Sequence, residues 1–160
     1  LTKKDNEQVQ YNILPNNNIV ILFAIDKSSF NFLREQYAEA KFYAQSSPLI
    51  EYYAAKSRLG NNRKMYVYLQ ASTLNVYAYE RGRLLLANSF DCKTNADRIY
   101  YLLYIWKQLG LEQERDELHL SGNPDDKKDL LPELQKFIRR VFVMNPANNL
   151  DLQTINLLCE

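Results

Sequence analysis

The fold is decided by residues 65–110, which read MYVYLQASTLNVYAYERGRLLLANSFDCKTNADRIYYLLYIWKQLG. The first half of this stretch alternates in side-chain type with a period of two, and two short turns interrupt the alternation. This pattern predicts three consecutive antiparallel strands. Ser72-Thr73 and Arg81-Gly82 supply the two hairpin turns that join them.

Tyrosines occupy one face of the first two predicted strands. Tyr66 and Tyr68 are expected to pair across the strands with Tyr77 and Tyr79 and to form an aromatic ladder. We expect this ladder to pack under a helix. The alternative is an exposed patch that binds a protein partner, because tyrosine is enriched at interfaces.

A helix follows the third strand. Thr94 and Asp97 have the spacing of a capping box, and Gly110 is placed to end the helix in a left-handed conformation. The residues of its apolar stripe are expected to point into the sheet: Ile99, Leu102, Leu103, Ile105, Trp106 and Leu109.

The remaining elements complete the order of the second half. Residues 117–121 predict a strand that ends at Gly122, and apolar residues from Leu131 to Val141 predict a helix with Pro132 near its start. Residues 141–144 then predict a strand, and residues 150–158 a helical end. The order β-β-β-α-β-α-β-α predicts an α/β protein with a mixed sheet and helices on both faces, which is the ribonuclease-H-like fold.

The first sixty residues predict a different order, β-α-β-α. We expect no regular structure in the polar first dozen residues, and a strand buried on both faces over Ile19–Ile25. Asp26 or Ser28 then caps a helix, residues 40–46 form a second strand, and a second helix ends near Gly60. We interpret residues 1–60 as the incomplete back end of a first subdomain and residues 61–160 as a second one.

Five segments carry a resemblance to known proteins: Phe23–Asp26, Gly82–Phe90, Thr94–Asp97, Tyr100–Leu103 and Leu118–Gly122. They are similar to one family of uncharacterised bacterial proteins, found in Bacteroides-type bacteria and named only as a domain of unknown function. The resemblance implies an actin-like ATPase fold and no established activity. It extends over nearly the whole chain, and its motifs are patterns of structure.

The resemblance also implies where a nucleotide site would lie. In the superfamily of actin, sugar kinases and heat-shock ATPases, the first strand of each half ends in an Asp that positions the metal, followed by a glycine-bearing turn. Here Gln70 stands in place of the Asp, and Ser72 follows without a glycine. Ser121-Gly122-Asn123 keeps part of the turn that usually contacts the nucleoside. We therefore expect a degenerate cofactor site at these five positions, with no catalytic residue and no metal site. Bound ATP and magnesium are the alternative that Gln70 disfavours.

Composition limits the partners and the location. The chain has 160 residues, 46% of them hydrophobic, and a formal net charge of +1. Proteins that bind nucleic acid through its phosphates usually carry a basic excess, so we expect no nucleic acid partner. No apolar run approaches the roughly 18–20 residues needed to span a bilayer, and no signal peptide is visible, so we expect a cytoplasmic protein. The sequence begins with Leu1 rather than Met, which leaves an upstream segment open.

Three other chemistries have weaker support in the sequence. A zinc site would have to combine Cys92, Cys159 and His119 with a carboxylate, whereas the simpler interpretation is two free thiols. Cys92 precedes a helix, which predicts a lowered thiol pKa with His119 as the base, or else a plain buried thiol. Two-metal nuclease chemistry needs clustered carboxylates, and the strand over residues 65–71 has none.

Together these observations favour a non-catalytic protein that acts through protein–protein contacts, as a scaffold or adaptor, and that retains a degenerate nucleotide site. The alternative is a weak ATP-binding protein or a nucleotide-dependent switch. Both interpretations lean away from an enzyme.

Overall fold

The structure is a computed structural model that describes residues 4–122, 124–144 and 150–158, without the side chains of residues 124–127. Its strands are β1 Glu7–Leu14, β2 Ile19–Asp26, β3 Lys64–Leu69, β4 Thr73–Glu80, β5 Arg83–Asp91, β6 Glu117–Gly122 and β7 Val141–Val143. Its α-helices are α1 Lys27–Gln36, α2 Ser46–Ser57, α3 Asn95–Gln108, α4 Pro124–Gln135 and α5 Leu150–Gln153. Short 3-10 helices cover Pro15–Asn17 and Ile155–Leu158.

Five strands form the main sheet in the order β5-β4-β3-β6-β7. Strand β4 is antiparallel to both of its neighbours, whereas β3, β6 and β7 run parallel to one another. This arrangement is the ribonuclease-H-like topology that the order β-β-β-α-β-α-β-α predicts, so the predicted fold class is confirmed.

One face of the sheet packs against α3 and α4. Met65, Val67 and Leu69 of β3 share a buried cluster with Leu102 of α3 and Leu134 of α4. The predicted orientation of the α3 stripe is confirmed, but three of its six residues are less deeply buried than expected. Ile99, Leu103 and Leu109 are only partly buried at the edge of this cluster, whereas Leu102, Ile105 and Trp106 are buried.

The opposite face of the sheet carries the tyrosines. Tyr66, Tyr68, Tyr77 and Tyr79 are all buried in a second cluster together with Tyr53 of α2. The ring of Tyr53 stacks on Tyr66 with 4.6 Å between centroids and contacts Tyr77 at 5.4 Å. The prediction that this ladder packs under a helix is confirmed, and the alternative of an exposed tyrosine patch is wrong for these four residues.

Local turn and cap signals are confirmed in α3 and in the second hairpin. The Thr94 hydroxyl accepts a hydrogen bond from the Asp97 amide, and the Asp97 carboxylate accepts one from the Thr94 amide. Gly110 follows α3 with φ of +61°. Arg81 and Gly82 both have positive φ, as a tight hairpin turn requires.

The predicted absence of regular structure at the start of the chain is wrong. Glu7–Leu14 forms β1, which pairs in antiparallel register with β2 in a separate two-stranded sheet. The predicted strand over Ile19–Ile25 is confirmed as β2, and Asp26 caps the helix that follows by accepting from the Ser29 amide at 2.9 Å. The predicted burial of β2 on both faces is wrong, because no residue of β2 is buried.

The strand predicted over residues 40–46 is also absent, and this region has no ladder partner. A side chain takes the role that a neighbouring strand would have. Asn12 of β1 donates to the Phe42 carbonyl and accepts from the Ala44 amide, both at 2.8 Å. Its oxygen also accepts from the Ser47 hydroxyl at the start of α2. The buried side-chain amide of Asn12 therefore links this segment to β1.

The helix predicted over Leu131–Val141 lies earlier in the chain, as α4, and Pro132 falls inside it rather than near its start. Val141 belongs to β7, and a helical terminal element follows as predicted. No helix of the described residues is both long enough and apolar enough to cross a bilayer. The division of the chain at residue 60 stays a proposal, and helix α2 from the first part packs directly on β4 of the main sheet.

Candidate functional site

Four of the five sequence-predicted site positions lie at or directly after the carboxyl-terminal ends of β3 and β6. These strands are parallel neighbours, and Leu69, the last residue of β3, lies opposite Gly122, the last residue of β6. Gln70 and Ser72 continue from β3 into the turn before β4. Ser121 and Gly122 end β6. Asn123 lies outside the described residues.

The β3–β4 turn is closed by its own hydrogen bonds. The Gln70 amide donates to the Thr73 carbonyl at 3.0 Å. The Gln70 side-chain oxygen accepts from the Thr73 hydroxyl at 3.0 Å and from the Asn75 side-chain amide at 3.2 Å. Ser72 is exposed, and its carbonyl accepts from the Cys92 amide. The Gln70 side-chain oxygen is therefore engaged within the turn.

A buried arginine holds the same turn from the side of α3. Arg98 is only 4% exposed, and its guanidinium donates to the carbonyls of Gln70 and Ala71, both at 3.1 Å. It also donates to the Asn95 side-chain oxygen at 2.9 Å. Sequence reasoning missed this residue. Its only local signal is a polar position on the otherwise apolar side of a helix.

Gly122 allows the two strand ends to approach closely. Its φ is +97°, and a Cβ placed on it would lie 2.0 Å from the Leu69 carbonyl oxygen. That distance is far below any normal contact, so only glycine fits here. The glycine is therefore explained by packing of β6 against the end of β3.

Ser121 points away from the turn and into the tyrosine cluster. Its hydroxyl donates to the Val67 carbonyl at 2.7 Å and shares a hydrogen bond of 2.8 Å with the Tyr53 hydroxyl. Ser121 is fully buried between β6 and α2. The structure thus brings Gln70 and Gly122 together at one edge, and it places the Ser121 side chain beneath α2. The assignment of these positions to a nucleotide site stays a prediction.

The proposed pairing of Cys92 with His119 is wrong. Cys92 is buried in the cluster beneath α3, whereas His119 alternates with Leu118 and Leu120 and so lies on the tyrosine face of β6. Burial raises the pKa of the Cys92 thiol, and the nearby Asp97 raises it further, which overturns the expected lowering. Cys92 is thus the buried thiol of the simpler interpretation, and Cys159 lies outside the described residues.

A polar cluster that sequence reasoning did not find surrounds Glu117 at the start of β6. The Glu117 carboxylate accepts from Arg140 at 2.6 Å, from the Asn62 side chain at 3.2 Å and from His119 Nε2 at 3.0 Å. Burial alone would raise the pKa of Glu117, but the hydrogen bonds from His119 and Asn62 and the charge of Lys64 lower it. Burial lowers the pKa of His119, against the opposing effect of Glu117.

The described residues hold no group of three or more His, Cys, Asp or Glu side chains arranged to bind a metal ion. Among the described residues, the strand ends at Leu69 and Gly122 offer backbone atoms, the neutral amide of Gln70 and the bound guanidinium of Arg98. Such a set can hold the turn in one conformation.

Solved structures place the chain among proteins with an actin-like ATPase fold. A crystal structure of a Bacteroides thetaiotaomicron protein, described as having an actin-like ATPase fold and unknown function, is 60% identical with a TM-score of 0.92. The match covers 100% of this chain and 62% of that chain, so this chain spans less than two thirds of the relative's length. No curated protein matches the chain. The model of the family described as protein of unknown function, DUF3822, matches residues 1–141, and the chain belongs to that family.

Proposed function

We propose that this chain is a non-catalytic protein of the actin-like fold that acts through protein–protein contacts, as a scaffold or adaptor, and that its nucleotide site is degenerate. The observation that carries the proposal is the β3–β4 turn. In that turn Gln70, a neutral amide where the family resemblance implies a metal-positioning carboxylate, is hydrogen-bonded to Thr73 and Asn75.

The backbone around Gln70 supports the same conclusion. Phosphate binding by a turn requires backbone amides that point toward the ligand. In this turn the Gln70 amide is bonded to Thr73, and the carbonyls of Gln70 and Ala71 are bonded to Arg98. The nearby Gly122 is already required for contact with Leu69. The Gln70 amide is therefore not available to a phosphate, and Arg98 holds the turn in its present conformation.

An exposed apolar face supports the part of the proposal that concerns protein contacts. Tyr11 and Ile13 of β1 and Val20 and Leu22 of β2 are 58–64% exposed. They lie on one side of the two-stranded sheet, because Tyr11 pairs with Leu22 and Ile13 with Val20. Contiguous apolar surface of this kind usually marks a contact with protein. The function we propose places a partner protein, or a second copy of the chain, on this face.

The alternative is a weak ATP-binding protein or a nucleotide-dependent switch. One observation favours it, namely the buried guanidinium of Arg98 at the candidate site. Arginine is well suited to bind phosphate because its planar fork matches two oxygens at once. To serve a nucleotide, Arg98 would have to release the carbonyls of Gln70 and Ala71.

The proposal extends to partners and location. A formal net charge of +1 supports the absence of a nucleic acid partner, because phosphate neutralisation supplies most of such affinity. The reduced, buried Cys92 is in keeping with the bacterial cytoplasm, where thiols stay unpaired.

Thermal unfolding in the presence of magnesium and ATP tests the degenerate site. A ligand at ~100 times its dissociation constant stabilises the folded state by about 2.7 kcal/mol. We expect no rise in melting temperature with magnesium-ATP relative to magnesium alone and to ATP with a chelator. A reproducible rise of several degrees that needs both components would instead support the nucleotide-dependent alternative.

Light scattering over a range of protein concentrations tests the apolar face. We expect association of the wild-type chain to be suppressed by Leu22→Glu. The matched control is Leu152→Glu, because Leu152 is 66% exposed on α5, outside the β1–β2 face. Equal association of all three proteins would remove this face from the proposal.

A further inference from the structure

Helix α2 carries a buried carboxylate that has no protein partner. Glu51 is 8% exposed, and among the described residues nothing donates a hydrogen bond to its carboxylate or forms an ion pair with it. Its Oε1 atom is enclosed by the protein, whereas Oε2 is not. A buried ionised group is costly unless a cation or a hydrogen-bond donor compensates it. A ligand that brings a positive charge to Oε2 would therefore be bound favourably.

Glu51 lines a cavity of about 190 Å³ between α2 and the two 3-10 helices. The other lining residues are Asn16 of the first 3-10 helix, Ala55 of α2, Arg58 directly after α2, and Leu157 of the second 3-10 helix. Residues 51, 55 and 58 are four and three positions apart, a spacing that places them on one side of a helix. A larger cavity of about 640 Å³ adjoins this one, since Asn16, Glu51 and Leu157 line both.

The smaller cavity also carries a positive charge that does not neutralise Glu51. Within the described part of the chain, Arg58 has no carboxylate within 4 Å. Its guanidinium donates one hydrogen bond, to the Asn16 carbonyl at 3.2 Å. A guanidinium has five N–H donors, and Arg58 is exposed, so several of its donors can reach a ligand. Opposite charges thus line one cavity without contacting each other.

The hairpin between β4 and β5 helps to position the Arg58 side chain. A Cβ placed on Gly82 would lie 2.9 Å from Arg58 Cγ and 2.8 Å from Arg58 Nε, so the glycine leaves the space that the arginine stem occupies. The Gly82 amide donates to the Ser57 hydroxyl at 3.0 Å, which fixes the hairpin against the end of α2. A side chain that is already packed loses less freedom when it binds a ligand.

We propose that this cavity binds a free α-amino acid through its main-chain groups. The ammonium group of the ligand donates to the Glu51 carboxylate, and the carboxylate of the ligand accepts from the Arg58 guanidinium, whose planar fork matches two oxygens at once. The volume is below the roughly 300–1,000 Å³ of sites for drug-sized ligands, and it suits the few heavy atoms of an amino-acid main chain. The adjoining larger cavity leaves room for the side chain of the ligand.

Glu51 and Arg58 belong neither to the candidate nucleotide site nor to the exposed face of β1 and β2. The amino-acid site and the proposed scaffold function can therefore fail independently of each other.

Nuclear magnetic resonance of the full ¹⁵N-labelled chain tests this site, with glycine and L-alanine as the probes. We expect both to move the backbone amide signals of Ala55 and Gly82 in a saturable manner. Methylammonium and acetate are the control ligands, because each carries only one of the two charges, and each should move these signals less at equal concentration. Glu51→Gln and Arg58→Gln should each weaken glycine binding about tenfold, because each removes a hydrogen bond between charged groups.

Arg83→Gln is the matched control variant. Arg83 lies in the same hairpin as Gly82, has 72% of its side chain exposed and lines neither cavity, so its loss should leave glycine binding unchanged. Glu51→Gln should stay folded, because it keeps the shape of the side chain and removes a buried charge that has no partner. If Arg58→Gln does not fold, Arg58→Lys replaces it, since it keeps the charge, loses the planar fork and should also weaken binding.

The proposal is overturned if ~50 mM glycine leaves the Ala55 and Gly82 signals in place, since a millimolar dissociation constant would then be visible. It is equally overturned if methylammonium or acetate alone acts like glycine, or if either the Glu51 or the Arg58 variant binds glycine as the wild type does.

Discussion

Substitution of Gly122 by alanine tests the close approach of β6 to β3 at the candidate site. The backbone at Gly122 has φ of +97°, and a Cβ there would lie 2.0 Å from the Leu69 carbonyl oxygen and 2.7 Å from the Leu69 amide nitrogen. Both are backbone atoms of a central strand. Gly122→Ala therefore has to move one strand end away from the other.

The size of the effect follows from two contributions. A left-handed conformation costs an alanine about 1–2 kcal/mol. Forcing extra atoms into a packed site costs about 1–3 kcal/mol more. We expect Gly122→Ala to lower the free energy of unfolding by about 2–5 kcal/mol, a large share of a typical total of ~5–15 kcal/mol.

Gly110→Ala is the matched control because it separates the two contributions. Gly110 also has positive φ, at +61°, and nothing lies within 4 Å of the added Cβ. Its alanine variant should therefore lose only the conformational part, about 1–2 kcal/mol.

Urea unfolding measures both variants, with fluorescence of Trp106 as the probe. Trp106 is the only tryptophan, and it is buried on α3 beneath the main sheet. A midpoint for Gly122→Ala that is no lower than that for Gly110→Ala, at equal slope, would refute the close approach of Leu69 and Gly122.

Two other predictions concern α3. Leu102→Ala should lower the free energy of unfolding by about 2–5 kcal/mol, because Leu102 is fully buried. Leu103→Ala should lower it clearly less, because Leu103 is partly exposed. Equal shifts of the urea midpoint in the two variants would contradict this order. Hydrogen bonds from the Thr94 hydroxyl and amide lower the pKa of Asp97, so its contribution to stability is present above its unfolded-state pKa and is lost as the pH falls through the folded-state pKa. The melting temperature of Asp97→Ala should accordingly lie below that of the wild type at pH 7 and approach it below about pH 4, and a difference independent of pH would contradict the capping role.

Signals that act over a few residues were enough to predict most of the second half. The capping box joins Thr94 and Asp97, which are three residues apart, and the hairpin turn needs only Arg81-Gly82. Alternation along β3 correctly separated Val67 from Tyr66, since period two fixes the two faces of a strand.

Elements that depend on distant partners were harder to predict. Residues 40–46 have the composition of a strand, but a strand needs a neighbour, and here the Asn12 side chain satisfies the backbone. Strand β1 did carry a signal, the alternation of Val9, Tyr11 and Ile13 with polar residues, which the polar composition of the segment obscured.

At the candidate site, too, features set by neighbouring residues could be predicted and contacts between distant residues could not. The positions of Gln70 and Gly122 at one edge of the sheet could be predicted because Gln70 directly follows a predictable strand and Gly122 ends another. Arg98 was missed because the carbonyls that it binds lie 27 and 28 positions earlier in the chain, and no local pattern reports such a contact. Ser121 was placed on the correct strand, yet its orientation toward Tyr53 depends on where α2 packs.

Strand β2 explains why the sequence and this structure disagree most in the first part of the chain. Its residues from Ile19 to Ile25 are apolar on both faces, which is typical of a strand covered on both sides. In the structure none of them is buried, and a sheet of two strands has little stability of its own. Fully burying a Val or Leu side chain contributes about 1.5–3 kcal/mol. Because Val20, Leu22, Tyr11 and Ile13 are 58–64% exposed, covering them would contribute about 5 kcal/mol, comparable to the net stability of a small domain. Nothing among the described residues covers this apolar face, so that stabilisation is not gained within the chain. The face is therefore suited to contact with another protein.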